Sequence, residues 1–354
     1  MGIADFAAYD ISRDYYENFE RGPRFKGSFP DLESLKKEEL DFFGNRLAFP
    51  FGIPAGLLLN SRWVSFYARM GFPLLVYKTV RTVEHPSHPY PNCLFVKTGM
   101  LDPFKLPDVL LAPSGYEPPS LREVTITNSF GMPSMKPDWW QEDMERAKNS
   151  LPEGYVLVGS GVGTYAGSRE KLVGDFVDVS VMLREVGVAA VILNFSCPNV
   201  EGSEGLIYTD YELSAEIVSG VKKAVPDVPL FVKVGFLYGK ALEGFVKAVA
   251  PYVEGIAGIN SIQAKVVKED GSPALGAGRE KSGVCGWAIG ECARLFTVEL
   301  SRIRKEMKAD FLIMSCGGVT DRESFAGLKE CGADVVLSCT GAMFNPLLAS
   351  EIRG

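Results

Sequence analysis

The stretch Val191 to Gly202, VILNFSCPNVEG, sets a thiol between two primary amides at the end of an apolar run. The apolar residues from Val188 to Leu193 suit a strand buried on both faces, and Pro198 ends it by fixing φ and removing a backbone donor. Asn194, Cys197 and Asn199 then stand at the strand's carboxyl end, where parallel α/β proteins hold their ligands. An arbitrary intracellular cysteine is ordinarily a small buried hydrophobe. Here the flanking amides, each offering a donor and an acceptor together, match the edge of a cyclic imide or amide and favour a chemical role.

Two further strands end in lysine, LLVYK at Lys78 and LFVKV at Lys233, where lysine is uncommon and a buried ammonium needs an anionic partner. A snorkelling stem explains one such residue, but two in equivalent places point to chemistry. They suit Schiff-base nucleophiles or fixed positive charges facing an electron-rich cofactor. The run EVTITNSFGMPS brings Asn128 and a glycine turn to the same rim, where the N–H groups of Phe130, Gly131 and Met132 can receive a carboxylate. GIAGINSIQ delivers Asn260 and Ser261 in the same manner. Gly317-Gly318 leads into a helix beginning near Thr320, Thr340-Gly341 does likewise one unit later, and Gly283 to Gly286 adds a glycine-rich turn upstream. Free N–H groups and the helix dipole suit a phosphate there, as in the last two βα loops of many barrels. Both histidines, His85 and His88, fall in a proline-rich loop rather than at a strand end, which leaves Cys197 as general base once its pKa is lowered. The i, i+3 pair of histidines gathers no further ligands, and no metal is expected.

The elements that must position these groups begin at Phe51, where short apolar runs start to alternate with amphipathic stretches. Strands are expected at 51–55, 74–78, 123–127, 155–160, 190–195, 230–234, 255–260, 311–316 and 334–339. Helices are expected at 63–70, 139–150, 173–186, 211–224, 240–249, 289–307 and 322–331. The pattern predicts an α/β fold, a (β/α)8 TIM barrel with one strand belonging to an extra hairpin; a doubly wound open sheet is the other architecture. The barrel takes residues 46–354, residues 1–45 form an extension packed on it, and 85–121 is an insertion long enough to build a lid, binding loop or interface. Phe6, Ala8, Ile11, Tyr15 and Phe19 at helical spacing among acids predict an acidic helix, a poor membrane anchor.

Of the 354 residues 46% are hydrophobic and the formal net charge is -7, which suits a folded soluble protein and argues against a nucleic-acid partner. Seven cysteines without paired or CxxC spacing read as reduced thiols in the cytoplasm. No run is long enough to span a bilayer, and the N-terminus lacks the regions of a signal peptide.

In family order, FPFGIPAG, YKT, NSFGMP, LNFSCPNV, FVKVG, INS, CGGV and CTG make the chain resemble the dihydroorotate dehydrogenases, FMN-containing barrels. The resemblance runs from about Asn45 to Phe344 and is strongest to the class 1 enzymes with a cysteine base. It implies oxidation of dihydroorotate to orotate in pyrimidine biosynthesis, with Cys197 taking the C5 proton while hydride passes from C6 to N5 of FMN. It further implies that Asn128, Asn194, Asn199 and Asn260 clamp the pyrimidine, and that Phe130, Gly131 and Met132 with Lys78 receive its carboxylate. Lys233 would sit against the flavin ring, so that Lys78 and Lys233 join Cys197 as catalytic residues and also face the cofactor. Ala55 and Gly56 would lie beside the flavin, Ser261 near substrate and flavin, and Gly286, Gly317, Gly318 and Thr340 about the ribityl phosphate. A homodimer is implied as well. With no nicotinamide domain or iron-sulfur motif in the sequence, NAD requires an electron-transfer partner subunit, whereas fumarate or another soluble oxidant requires none; the acidic helix and the cysteine base disfavour quinone. Cys339 stands where the family usually has glycine, and SIQAK lacks the Gly-Asn that usually follows Asn-Ser. Flavin chemistry on another dihydropyrimidine, a Schiff-base aldolase and a ligand-binding protein without turnover are the competing readings.

Overall fold

The computed structural model describes residues 2–196 and 206–354. Eight short runs, almost wholly apolar and buried, pair in parallel as β1 (Phe51–Ile53), β2 (Leu74–Val76), β3 (Val156–Gly161), β4 (Val191–Asn194), β5 (Leu230–Lys233), β6 (Gly255–Gly258), β7 (Leu312–Cys316) and β8 (Val335–Leu337). Their spatial order follows the chain. β8 returns to β1 through Val336 against Phe51 and Leu337 against Gly52, so the sheet closes into a barrel and the open-sheet alternative falls.

Amphipathic helices cover the outside: α1 (Ser61–Arg69), α2 (Pro137–Asn149), α3 (Arg169–Val186), α4 (Tyr211–Ala224), α5 (Lys240–Val249), α6 (Gly290–Met307) and α7 (Arg322–Glu330), then α8 (Thr340–Phe344) and α9 (Leu348–Arg353). Local chemistry sets their ends. Asn60, Ser168, Asp210 and Asp321 each accept a first-turn N–H, and Gly187 closes α3 in the left-handed conformation.

Inside the barrel Leu74, Val76, Val156, Val158, Ile192, Phe231, Met314 and Val335 form one apolar cluster. Gly255 makes room for the Phe231 ring, since a Cβ there would stand 1.9 Å from it. A hairpin, Leu40–Phe42 with Asn45–Leu47, plugs this interior by stacking Phe42 on Phe231 at 5.8 Å and 19°. The plug crosses residue 45, so extension and barrel share one core.

Two expectations are corrected, the turn at Gly283 to Gly286 and the single N-terminal helix. The one expected strand that lies outside the barrel is that near 123–127, which spans Thr125–Asn128 in a five-stranded roof sheet. Its order is Cys93–Phe95, Thr125–Asn128, Lys281–Gly286, Ile262–Val267, Leu110–Leu111, so Gly283 to Gly286 is strand rather than turn and the 85–121 insertion supplies two strands. The N-terminal residues do not form one helix. A 3-10 turn (Ile3–Phe6) and a short helix (Tyr15–Arg21) are separated because Asp10 folds back to accept from Ser12, Arg13 and Arg24, and Asp14 caps the helix start. The segment nonetheless packs down: Ala8, Tyr9, Tyr15 and Phe19 are buried, and the Ala8 N–H donates to the Met343 carbonyl at 2.8 Å.

Removing the plug's ring by Phe42→Ala is expected to cost about 3–5 kcal/mol in denaturant unfolding. Burial alone would raise the Asp10 carboxyl, but the Ser12 hydrogen bonds and the Arg24 and Arg13 charges outweigh it and hold it below the ordinary aspartate value. A depressed folded-state pKa gives stabilisation that is full above about pH 4 and is lost as pH falls from there. Proteolysis within residues 2–24 should therefore accelerate below about pH 4, and Asp10→Asn should show that susceptibility at neutral pH.

Candidate active site

The carboxyl ends of the strands open into a cavity of about 580 Å³. Its floor is set by short anchored elements. Lys78 follows β2, where the Tyr77 hydroxyl donates to buried Asp143 of α2 at 2.7 Å, and the same carboxylate accepts from Ser61 of α1. Lys233 ends β5 in register with Asn194 of β4, and its Nζ donates to Asn260 Oδ1 at 3.0 Å. Asn194 Oδ1 accepts from the Ser196 N–H at 3.2 Å, which fixes the amide at the rim.

The roof sheet places Asn128 between Cys93 and Gly283, where its Nδ2 donates to Cys285 Sγ at 3.0 Å. The following turn carries φ of +75° at Gly131 and +49° at Met132. Arg81, almost fully buried, donates to the Met132 carbonyl at 3.3 Å and to Thr164. Gly283 is required because a Cβ there would meet Ser261 Oγ at 2.3 Å.

At the far end Gly317 and Gly318 take φ of +136° and +74°, and a Cβ on Gly318 would stand 2.4 Å from the Gly290 Cα. This leaves bare backbone facing the cavity. The helix expected near Thr320 begins at Arg322, and its first turn is already capped by Asp321, so the anion-receptive groups are the Gly317-Gly318 backbone and the start of α8 at Thr340.

Ala55, Gly56, Lys78, Asn128, Phe130, Gly131, Met132, Asn194, Lys233, Asn260, Ser261, Gly286, Gly317, Gly318 and Thr340 all line this one cavity. Cys197 and Asn199 lie outside the described residues. Sequence reasoning missed other members of the wall. Tyr9 and Tyr15 reach it from the extension, Arg279 and Lys281 from the β6–α6 segment, and His85 and His88 from the insertion. The histidines therefore do face the site, and excluding them as bases by position alone does not hold. Their signal was the proline-rich loop itself, whose pairing with residues 130–134 is tertiary.

Among the described lining residues there is no aspartate or glutamate, although the chain carries a net charge of -7. Burial pushes the Lys233 ammonium down and pushes the thiols of Cys93, Cys285, Cys316 and Cys339 up, Cys316 to about 12. These thiols are neutral. Cys339 fills space beside Gly56, at 3.7 Å from the position of a Cβ there. No cluster of three or more candidate metal ligands occurs among the described residues.

Fold and site together define a (β/α)8 barrel whose cavity, at the strand ends, is lined by lysine, arginine, amide and glycine residues. The family model for dihydroorotate dehydrogenase matches residues 114–353. The chain is 37% identical to the dihydroorotate dehydrogenase of Dictyostelium discoideum, over 97% of this chain and 95% of that one. It is 30% identical, over 54% of this chain and 59% of the other, to the catalytic subunit of the NAD(+)-type dihydroorotate dehydrogenase B of Staphylococcus carnosus. The crystal structure of the Eimeria tenella enzyme in complex with ferulenol superposes with a TM-score of 0.70 at 15% identity, covering 92% of this chain and 85% of that one. The chain belongs to the dihydroorotate dehydrogenase family, flavin-dependent oxidoreductases that convert dihydroorotate to orotate in pyrimidine biosynthesis.

Gly318→Ala forces a side chain onto backbone at positive φ. The purified variant is expected to hold flavin at least about tenfold more weakly, read from visible absorbance after dialysis.

Proposed function

We propose that this chain oxidises dihydroorotate to orotate with FMN as its bound cofactor and Cys197 as the base. The observation that carries the reading is the convergence of amides, two buried lysines and bare glycine backbone on one cavity whose described wall holds no acidic side chain. The residues fit FMN. The cavity volume of about 580 Å³ falls within the range of ligand sites, roughly 300–1,000 Å³. The Gly286, Gly317 and Gly318 cradle and Thr340 suit a phosphate, and Ala55 and Gly56 offer a small-residue edge for the ring system.

When bound, FMN supplies the two-electron acceptor for hydride leaving C6 of the substrate. The chain's own residues do the rest. Asn128, Asn194, Asn199 and Asn260 hold the pyrimidine amides, with Ser261 beside them, and the backbone of Phe130, Gly131 and Met132 receives the carboxylate with Lys78. Lys233, fixed by Asn260, keeps positive charge beside the electron-accepting ring. Cys197 takes the C5 proton. The four described cavity thiols are poorly suited to that task because burial raises their pKa values.

The carboxylate-receiving turn is the feature that favours dihydroorotate over dihydropyrimidines lacking the acid. We assign the chain to the cytoplasm, on its free thiols and on the absence from the described residues of a helix long and apolar enough to cross a membrane. Residues 46–354 carry the catalytic barrel, with 1–45 supplying half of its plug and part of the cavity wall and 85–121 two strands of its roof. The exposed row Met100, Phe104, Leu106, Val109 and Leu111 supports the remainder of the insertion as a homodimer contact. A soluble oxidant or a partner subunit carrying NAD chemistry then reoxidises the flavin.

Anaerobic stopped-flow absorbance tests the half-reaction. Dihydroorotate is expected to bleach the bound flavin rapidly, and Cys197→Ala to slow bleaching by about 10²–10⁴-fold while orotate still binds. Bleaching at the wild-type rate in that variant would remove Cys197 as the base, and FMN that stays oxidised would remove dihydroorotate as the substrate.

A further inference from the structure

Residues 85–92 form the second half of the turn that receives the carboxylate. His85 and Ser134 exchange both backbone hydrogen bonds at 2.9 Å, and the His88 N–H donates to the Phe130 carbonyl at 3.0 Å. Ser87 Oγ donates to that same carbonyl at 3.2 Å. The Ser129 N–H donates to the Asn92 carbonyl, while the Asn92 side chain donates to the His88 carbonyl at 2.9 Å. The His88 ring completes this frame. Its Nδ1 shares a hydrogen bond with Ser129 Oγ at 2.9 Å, and its edge lies under Gly131, where a Cβ would meet His88 Cδ2 at 2.6 Å.

The turn needs such support. Gly131 and Met132 sit at positive φ in succession, and Met132 has no glycine's freedom to do so at low cost. Backbone N–H groups aimed at an anion gain most when they need no reorganisation as it arrives. The ring of His88 contacts the turn itself and stands in the cavity wall with Arg279.

We propose that His88 is a positioning residue that holds the Ser129–Met132 turn in its carboxylate-receiving form and so sets affinity for the acidic substrate. This rests on the reading of that turn given above. It predicts selectivity between ligands that differ only in the acid. Orotate carries the carboxylate and uracil does not, so a weakened turn affects the first and spares the second.

Calorimetric titration of the FMN-loaded protein with orotate and with uracil tests it. His88→Ala is expected to weaken orotate about five- to tenfold and leave uracil within about twofold. His88→Asn, which places an amide nitrogen near the former Nδ1 and can still reach Ser129, should recover most of the orotate affinity. In turnover the Ala variant should raise KM for dihydroorotate by a similar factor with kcat changed less than about twofold. Wild-type orotate affinity in both variants, or equal weakening of orotate and uracil, overturns the proposal while the turn keeps its role. Wild-type protein that binds orotate and uracil alike overturns the carboxylate reading, and this proposal with it.

Discussion

Burying an ammonium group away from carboxylates is the constraint on which the site depends. A charge removed from water carries a penalty of several kcal/mol unless a partner restores its solvation. Lys233 has an amide oxygen at 3.0 Å, and the described cavity wall holds no acidic side chain. The acids of this net-negative chain are spent elsewhere: Arg302 is bracketed by Glu299 and Glu306, Arg169 by Asp210 and Glu216, and Arg24 reaches Asp10. Separating the charges in this way leaves the cavity positive within a negative surface, which favours an anionic ligand at the strand ends.

The same constraint explains why segments distant in sequence meet at one turn. A carboxylate can be received by backbone N–H groups only if they are held in place, and two successive positive φ values are not held locally. Arg81 secures the Met132 carbonyl and His88 lies under Gly131. Tyr9 and Tyr15 present ring edges to Phe130 at 5.9 and 6.3 Å. The extension and the insertion are thus structural parts of the site. Their removal would take away the turn's support and, with Leu40–Phe42, half of the plug that fills the barrel interior on Phe231.

The barrel and most of its rim were legible because parallel strands buried on both faces leave continuous apolar runs that end where chemistry begins. Lys78, Asn194 and Lys233 stood out as polar residues closing such runs. The roof sheet was harder to read. Ile262–Val267 alternates exposed and buried positions and includes Lys265, and Lys281–Gly286 is rich in glycine, so neither resembles a barrel strand. Lys281–Gly286 pairs with Thr125–Asn128, 155 residues away in sequence, and Ile262–Val267 joins the sheet through it. HPSHPYPN carries every local mark of an irregular loop, yet the backbone of His85, His88 and Asn92 is matched to residues 129–134. In the extension, Phe6, Ala8, Ile11, Tyr15 and Phe19 imitate a helical face, but Asp10 and Asp14 fix a turn and a cap between them. Periodicity there reports burial at Ala8, Tyr15 and Phe19 but not at exposed Phe6, and it does not report a continuous helix.

The roof also limits how the site can open. Thr125–Asn128 and Lys281–Gly286 belong to the β2–α2 and β6–α6 connections, which leave the barrel at separated strands, and they pair residue for residue from Asn128 with Gly283 to Thr125 with Gly286. Backbone hydrogen bonds therefore tie the two connections together above the barrel. Separating them would expose a run of donors and acceptors and the buried Thr127–Ser282 hydroxyl pair at 2.6 Å. Ligand exchange by parting this ladder is correspondingly unfavourable. Beside this ladder His88, Arg279 and Lys281 face the cavity. Arg279 and Lys281 add positive charge to the wall that the roof contributes, so the sheet that completes the site also sets the charge it presents to a ligand.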